Sequence, residues 1–381
     1  MTVLGKRVAS IDIFRGLTML VMIFVNDLAG VRKLPWWTYH MPGNVSGMTY
    51  VDVVFPAFLF IVGLSIPLAI ATRLRKFPST PLLWTHVLAR SAGLIVIGVA
   101  LANADKGNGG RMGITPNTWS FLVLLSAILF WAVYPAGRVR LLRYVGLAGL
   151  IVLFAIFRRT TTAGHTAWLD ISYWEILGLI GWTYLAVCIL YIPTRRWKWA
   201  PLVWLIVLIV LNTLASANRI PGVDSLPFYL WPFNNGAFCL MAMAGIVTTQ
   251  IAGDGRWKLP CFGIALLLAG WLVSPLGISK INATPSWALY SAGISVLIFG
   301  ALHWICDVRG RTAWAAFSRA AGENTLLTYL LPDLFYFAVG TRWLPPVLQS
   351  GWPGVLRCAV FTACILALST ALTRMHVRLH L

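Results

Sequence analysis

The chain has 381 residues, of which 59% are hydrophobic and only 11% charged. A soluble protein of this length carries far more surface charge, and its apolar runs recur almost end to end, several reaching the ~20 residues that cross a bilayer. The formal charge of +19 is spread over short loops between those runs, which fits anionic membrane surfaces and topology signals and excludes a nucleic-acid-binding domain.

Twelve spans are predicted, at roughly 10–28, 51–72, 82–102, 117–135, 141–157, 171–192, 199–214, 234–252, 260–276, 285–306, 322–340 and 354–373. The seventh is short, so eleven is the alternative count. The eleventh is interrupted by Pro332 and Asp333. The sequence therefore predicts an all-α polytopic transmembrane helical bundle, one domain over 1–381. The first apolar stretch is not expected to be a cleaved signal peptide. It contains Asp27, has no clear small-residue cleavage site, and is followed closely by a second span.

Charge alternation gives the topology. With the N-terminus inside, 20 of the 30 Lys and Arg residues fall on the cytoplasmic side. They include Lys6 and Arg7, the Arg73–Arg75–Lys76 cluster, Arg195–Arg196–Lys198, and the Arg256 and Lys258 pair. The opposite face receives ten, among them Arg32, Lys33, Lys106, Lys280, Arg342 and Arg357. This two-to-one bias predicts that both termini are cytoplasmic if the spans number twelve. The loop 29–50 is then external, as are 103–116, 158–170, 215–233, 277–284 and 341–353.

The first two spans carry groups that lipid disfavours: Asp12, Arg15, Asn26 and Asp27 in the first, and Asp52 at the start of the second. Such groups face a protein interior or a site. The loop between them contains His40 in LPWWTYHMPGNVSG. Imidazole takes and returns protons near neutral pH, so His40 is the leading catalytic candidate. Asp52 or Asp27 is expected to orient its other nitrogen, and Asn26 or Asn44 to donate to a developing oxyanion. Trp37, Tyr39 and Asn44 in the same loop, with Asp333 in the eleventh span, are the candidates for acceptor binding.

Asp12 and Arg15 lie three apart on one helix face. They are read either as an ion pair that fixes packing or as a phosphate-binding Arg held by an Asp. Glu323, Asn324 and Tyr329 in AGENTLLTYLLPDLFYF extend a polar stripe that would line a cavity and, with Asp12 and Arg15, are the candidates for binding the cofactor; Asp333 lies deeper beside the helix-breaking Pro332. Ser286 is read as a cap for the tenth span. The six cysteines form no CxxC pair and read as buried hydrophobes. No HExxH or comparable spacing appears, so no metal is predicted. There is also no glycine motif to cradle ATP or NAD.

The segment SIDIFRGLTMLVMIFVND, the His40 loop and DVVFPAFLFIVGLSIPLAI resemble the heparan-α-glucosaminide N-acetyltransferase family and its bacterial relatives of the DUF5009 type. LVSPLGISKINATPSWALYSAG and FSRAAGENTLLTYLLPDL resemble the same group. The resemblance implies a multi-span acyltransferase with cytoplasmic acetyl-CoA as donor and a sugar amine as acceptor on the far side. It implies a catalytic histidine in the first external loop, which His40 matches by position. The family pattern there runs H-A-x-W-N-G-x-T and then D-x-V-F-P. Here Asp52, Phe55 and Pro56 match, while HMPGNVSGMTY lacks the tryptophan and lengthens the spacing, and Asn44 is only an approximate counterpart of the asparagine. The expected reaction is acetyl transfer to an amine or hydroxyl of an external sugar or glycan. The expected location is a bacterial cytoplasmic (inner) membrane, among lipids, with a homodimer allowed. Composition alone also suits a proton-coupled secondary transporter of a small polar solute or glycan fragment. A noncatalytic membrane assembly factor is the third class.

Overall fold

The computed structural model describes residues 8–135, 137–222, 235–253, 255, 257–340 and 344–380. The charges assigned to Lys6, Arg7, Arg256 and Arg342, and most of the 215–233 loop, lie outside the described residues. Among these residues the chain is a bundle of α-helices: α1 (Ala9–Leu28), α2 (Val51–Lys76), α3 (Thr80–Ala102), the short α4 (Gly109–Met112), α5 (Pro116–Trp131), α6 (Leu142–Ile156), α7 (Glu175–Thr194), α8 (Ala200–Ser216), α9 (Ala237–Ile251), α10 (Lys258–Leu272), α11 (Pro285–Leu302), the short α12 (Arg319–Glu323), α13 (Thr325–Val339) and α14 (Gly351–Arg374). Seven segments are long and apolar enough to cross a membrane: α1, α2, α3, Val139–Ile156, α7, Pro285–Val308 and α14. Five shorter apolar helices, α5, α8, α9, α10 and α13, fall on the remaining predicted spans. The fold is thus an all-α polytopic membrane bundle. Among the described residues a two-stranded ribbon pairs Arg159–Thr160 with Thr166–Ala167, inside a segment read as plain loop.

Several boundaries differ from the sequence expectation, for local reasons. The eleventh span is not broken at Pro332; α13 runs through it. The break comes earlier, at Asn324, whose backbone (φ −124°, ψ 50°) leaves the helical region between α12 and α13. The sixth span starts only at Glu175, which has a left-handed φ of 56°. Ser286 does not cap α11. Its hydroxyl donates to the Val273 carbonyl at 2.9 Å and ties α11 to the end of α10.

Burial separates inner from outer helices. Over half of α1, α2 and α7 is buried within the protein, against 17% of the α6 span and 22% of α14. Helices apolar on every side belong inside a large protein or in lipid, and α6 and α14 turn Ile151, Val152, Leu356 and Val360 outward. The tightest inner crossing is α2 on α9. A Cβ on Gly63 would overlap the Ala242 backbone, and one on Gly245 the Phe60 carbonyl. Small residues allow such approach where lipid supplies no hydrophobic drive between helices. Gly63→Leu is therefore expected to lower the thermal midpoint in detergent by several degrees or to prevent folding, while Leu68→Ala, at a half-buried position on the same helix, has the smaller effect. Fluorescence-detected size-exclusion after heating checks the order.

The loops sort to two ends. At one, Arg32 accepts from Gly351 and donates to Gln349 through its backbone, and Gly47 donates to Ile278 at 2.8 Å. The loops after α1, after α10 and before α14 are thereby joined. At the other end Ala9 and Ser10 bond Asp307, while Val133 and Trp131 pair with Arg378 and His380 of the C-terminal tail. This is the segregation that alternating spans require.

Candidate active site

At the first of these ends, His40 meets Asp52. The chain leaves α1, turns through Trp36–Thr38, and is pinned by Tyr39. The Tyr39 hydroxyl donates to the Val31 carbonyl at 2.6 Å, and its own carbonyl accepts from Thr49 Oγ1 at 2.8 Å. The following residue, His40, places Nδ1 2.7 Å from Asp52 Oδ1. A carboxylate can only accept, so Nδ1 carries a proton and donates. The other carboxylate oxygen, Oδ2, accepts from the backbone N–H of Thr49 at 3.0 Å and of Met41 at 3.2 Å. Asp52 thus reaches back from the first turn of α2 to hold the loop on both sides of the histidine. Its side chain is 1% exposed, while that of His40 is 45% exposed. The Asp52 carbonyl accepts from the Trp287 indole at 3.0 Å, which locks α2 to α11.

Lys280 completes the cluster, and sequence reasoning missed it. Its Nζ lies 3.3 Å from both ring nitrogens of His40. Burial pushes its amine down to about 8, against the pull of Asp52. The 277–284 segment carried no periodicity that would have linked it to residue 40. The one signal was a cation in an external loop within a segment that resembled the same family.

Six of the other candidates, Asn26, Asp27, Asp333, Arg15, Glu323 and Tyr329, line two cavities, neither of which is lined by His40 or Asp52. One, of about 410 Å³, lies toward the His40 end and is lined by Asn26, Asp27, Glu175, Asp333, Tyr336 and Arg357, among others. Asp27 is therefore not the partner of His40. It accepts from the Tyr336 hydroxyl and pairs with Arg357 at 3.2 Å. Asn26 faces the same cavity rather than the imidazole. Glu175 Oε1 accepts from the Tyr329 hydroxyl at 2.7 Å, and its Oε2 caps the first turn of α7 through the Leu177 N–H.

The second cavity, of about 390 Å³, lies toward the opposite end. Arg15, Arg73, Arg90, His86 and His380 line it, with Glu323, Thr325 and Tyr329. Tyr329 and Met22 line both cavities. Arg15 is held by Asp12 at 3.3 Å, Ser65 Oγ at 2.8 Å and the Gly322 carbonyl at 3.2 Å. Arg15 is thus anchored by Asp12 and also faces a cavity. Glu323 pairs with Arg319 at 2.9 Å. Asn324 is buried, and its amide is spent on Thr373, Val377 and Leu379, so it holds the C-terminal tail in place. Trp37 is exposed and tilts against Tyr50, and Asn44 is exposed in the loop. Arg73, Arg90, His86 and His380 were missed because they come together only when α3 and the tail meet α2.

Residues 7–156, which include His40 and Asp52, match the family model of DUF5009, a domain of unknown function. Part of the chain is 33% identical over 144 residues to the heparan-alpha-glucosaminide N-acetyltransferase of Mus musculus, covering 34% of this chain and 21% of that protein. The Homo sapiens protein of the same name is 37% identical over 105 residues, 28% of this chain and 15% of its own length. The matches thus span about a fifth or less of these relatives. The later segments read as family-like, around residues 272–293 and 317–334, lie outside the matched model. The family-level resemblance read from the sequence, to heparan-α-glucosaminide N-acetyltransferases and their DUF5009-type relatives, is supported by both comparisons.

Proposed function

We propose that the protein is a membrane acyltransferase that moves an acetyl group from cytoplasmic acetyl-CoA to an amine or hydroxyl of an external sugar or glycan. The observation that carries this is the 2.7 Å contact between His40 Nδ1 and a buried Asp52 carboxylate. It leaves Nε2 as an oriented base in the manner of a catalytic dyad. In this reading the dyad faces outward from a bacterial cytoplasmic membrane and both termini are cytoplasmic, a topology supported by the charge bias of the loops. The basic cavity then opens inward, where its three arginines suit the phosphates of CoA. Its volume of about 390 Å³ lies at the small end of ligand pockets, about 300–1,000 Å³. It fits a pantetheine-sized arm with the nucleotide left at the basic rim. His40 lies outside both cavities, so transfer requires the pantetheine arm to reach beyond them to the half-exposed imidazole.

In the step proposed, His40 Nε2 takes the proton of the acceptor as its nitrogen or oxygen attacks the thioester carbonyl, then returns it to the departing sulfur. Arg73→Ala combined with Arg90→Ala is expected to raise KM for acetyl-CoA by roughly tenfold or more, since a hydrogen bond to a charged group contributes about 1.5–3 kcal/mol. The effect should weaken at high salt. An unchanged KM would remove the cavity from donor binding.

A second reading, a proton-coupled transporter of a small polar solute or glycan fragment, is favoured by one feature. The two cavities share Met22 and Tyr329, and the embedded carboxylates Glu175 and Asp333 line the external one. Incubating purified protein with labelled acetyl-CoA and extracted envelope glycans separates the two. Label on glycan supports acyl transfer. Solute uptake into vesicles with no labelled product supports transport.

A further inference from the structure

We propose that Lys280 is a catalytic residue whose ammonium stabilises the oxyanion formed when an acceptor activated at His40 Nε2 attacks the thioester. The inference rests on the acyl-transfer reading above. Equal 3.3 Å distances to Nδ1 and Nε2 set Nζ against the ring between the two nitrogens rather than on the axis of the Nε2 lone pair. Nε2 stays available for the acceptor's proton. The attacking atom must sit about 2.6–3.2 Å from Nε2, so the carbonyl oxygen bonded one atom further on falls within reach of the lysine.

The loop is fastened to the histidine's own loop on both sides of Lys280. Ile278 accepts from Gly47 N–H at 2.8 Å and donates to Ser46 Oγ at 3.0 Å, while Asn282 Nδ2 donates to the Gly43 carbonyl at 3.1 Å. Other donors are committed elsewhere. The Met41 and Thr49 amides serve Asp52, and Asn26 faces the neighbouring cavity. The titratable groups set against Lys280 are His40 from the first loop and Asp52 from α2.

The step balances. The acceptor lone pair forms the new bond to the carbonyl carbon, and its proton goes to Nε2. The C=O π pair moves to the oxygen facing Lys280. Collapse breaks the C–S bond, and sulfur leaves as the CoA thiol with the proton from Nε2. Lys280 remains an ammonium throughout.

The test uses the full-length protein with labelled acetyl-CoA and an extracted glycan acceptor, comparing parent, Lys280→Met and Lys280→Arg over neutral to alkaline pH. Lys280→Met is expected to lower kcat by about 10²–10³-fold, the cost of losing one oxyanion donor, with KM for acetyl-CoA unchanged. Lys280→Arg restores a large part of kcat. Because the lysine's affinity for protons is depressed, its charge is present below about 8 and lost as pH rises through that value. The parent-to-Arg rate ratio therefore falls there, and the ratio cancels ionisation of the acceptor. Parental kcat in Lys280→Met, or a ratio flat with pH, overturns the role of Lys280 while leaving acyl transfer intact. If Lys280→Met does not fold, the Arg ratio alone decides. A parent protein that transfers no label overturns the acyl-transfer reading, and this inference with it.

Discussion

His40→Ala is expected to reduce acyl transfer by about 10²–10⁴-fold, the range for a positioned general base, in a protein that still folds. The ring is 45% exposed and no helix depends on it for its packing. Its removal frees Asp52 Oδ1 and the Lys280 ammonium, while Asp52 Oδ2 keeps the Thr49 and Met41 amides. Acetyl-CoA affinity should be unchanged because the basic cavity does not include His40. Single-turnover transfer, with size-exclusion profiles as the folding control, checks both parts. Near-parental turnover in a folded variant removes His40 from the mechanism. An acyl group trapped on His40 of the parent would replace direct attack by a two-step route.

Asp52 should separate orientation from architecture. Asp52→Asn keeps the volume but offers an amide where the imidazole N–H needs an anionic acceptor, so the proton is no longer held on Nδ1. Loss of the correct tautomer in the Ser-His-Asp template costs about 10⁴ in kcat, and a fall of about 10³–10⁴ is expected here with folding retained. Asp52→Ala goes further. It strands the buried backbone donors of Thr49 and Met41, each unsatisfied group costing about 1–3 kcal/mol, and removes the acid from the first turn of α2. The 38–50 segment should then exchange amide hydrogens faster and become sensitive to protease, while Asp52→Asn stays protected. Equal protection and equal activity in the two variants would contradict the dyad.

Much of this fold is legible because lipid restricts the alternatives. A run of apolar residues that must satisfy its backbone internally becomes a helix, and every predicted span coincides with one. Five of them are shorter than a full crossing, and hydropathy alone did not separate those from the seven longer ones. Proline misled at position 332. The helix continues there, and the break falls at Asn324, where the side chain leaves the helical pattern to bind the C-terminal tail.

The candidate site was legible where it is local. His40 and Asp52 are twelve residues apart across one loop, and either Asp52 or Asp27 was open as the partner. Asp27 sits at the end of a helix on the same side, and only three-dimensional packing, with Tyr336 and Arg357 more than 300 residues away in sequence, diverts it. Lys280 is 240 residues from His40. Glu175 and Tyr329, 154 apart, meet between two cavities whose walls draw on α1, α7 and α13. Such pairs depend on how helices are arranged around each other, and helical periodicity carries no record of that arrangement.

In the proposed reaction donor and acceptor meet from opposite faces of one membrane. Proteoliposomes of known protein orientation, with glycan acceptor sealed on the His40 side and labelled acetyl-CoA supplied only on the side of the Arg15 cavity, test this. Labelled acetyl is expected on the enclosed glycan, with CoA released on the donor side and no product from His40→Ala. Solute movement without any acetylated glycan, or transfer only when donor and acceptor share the His40 side, would contradict it.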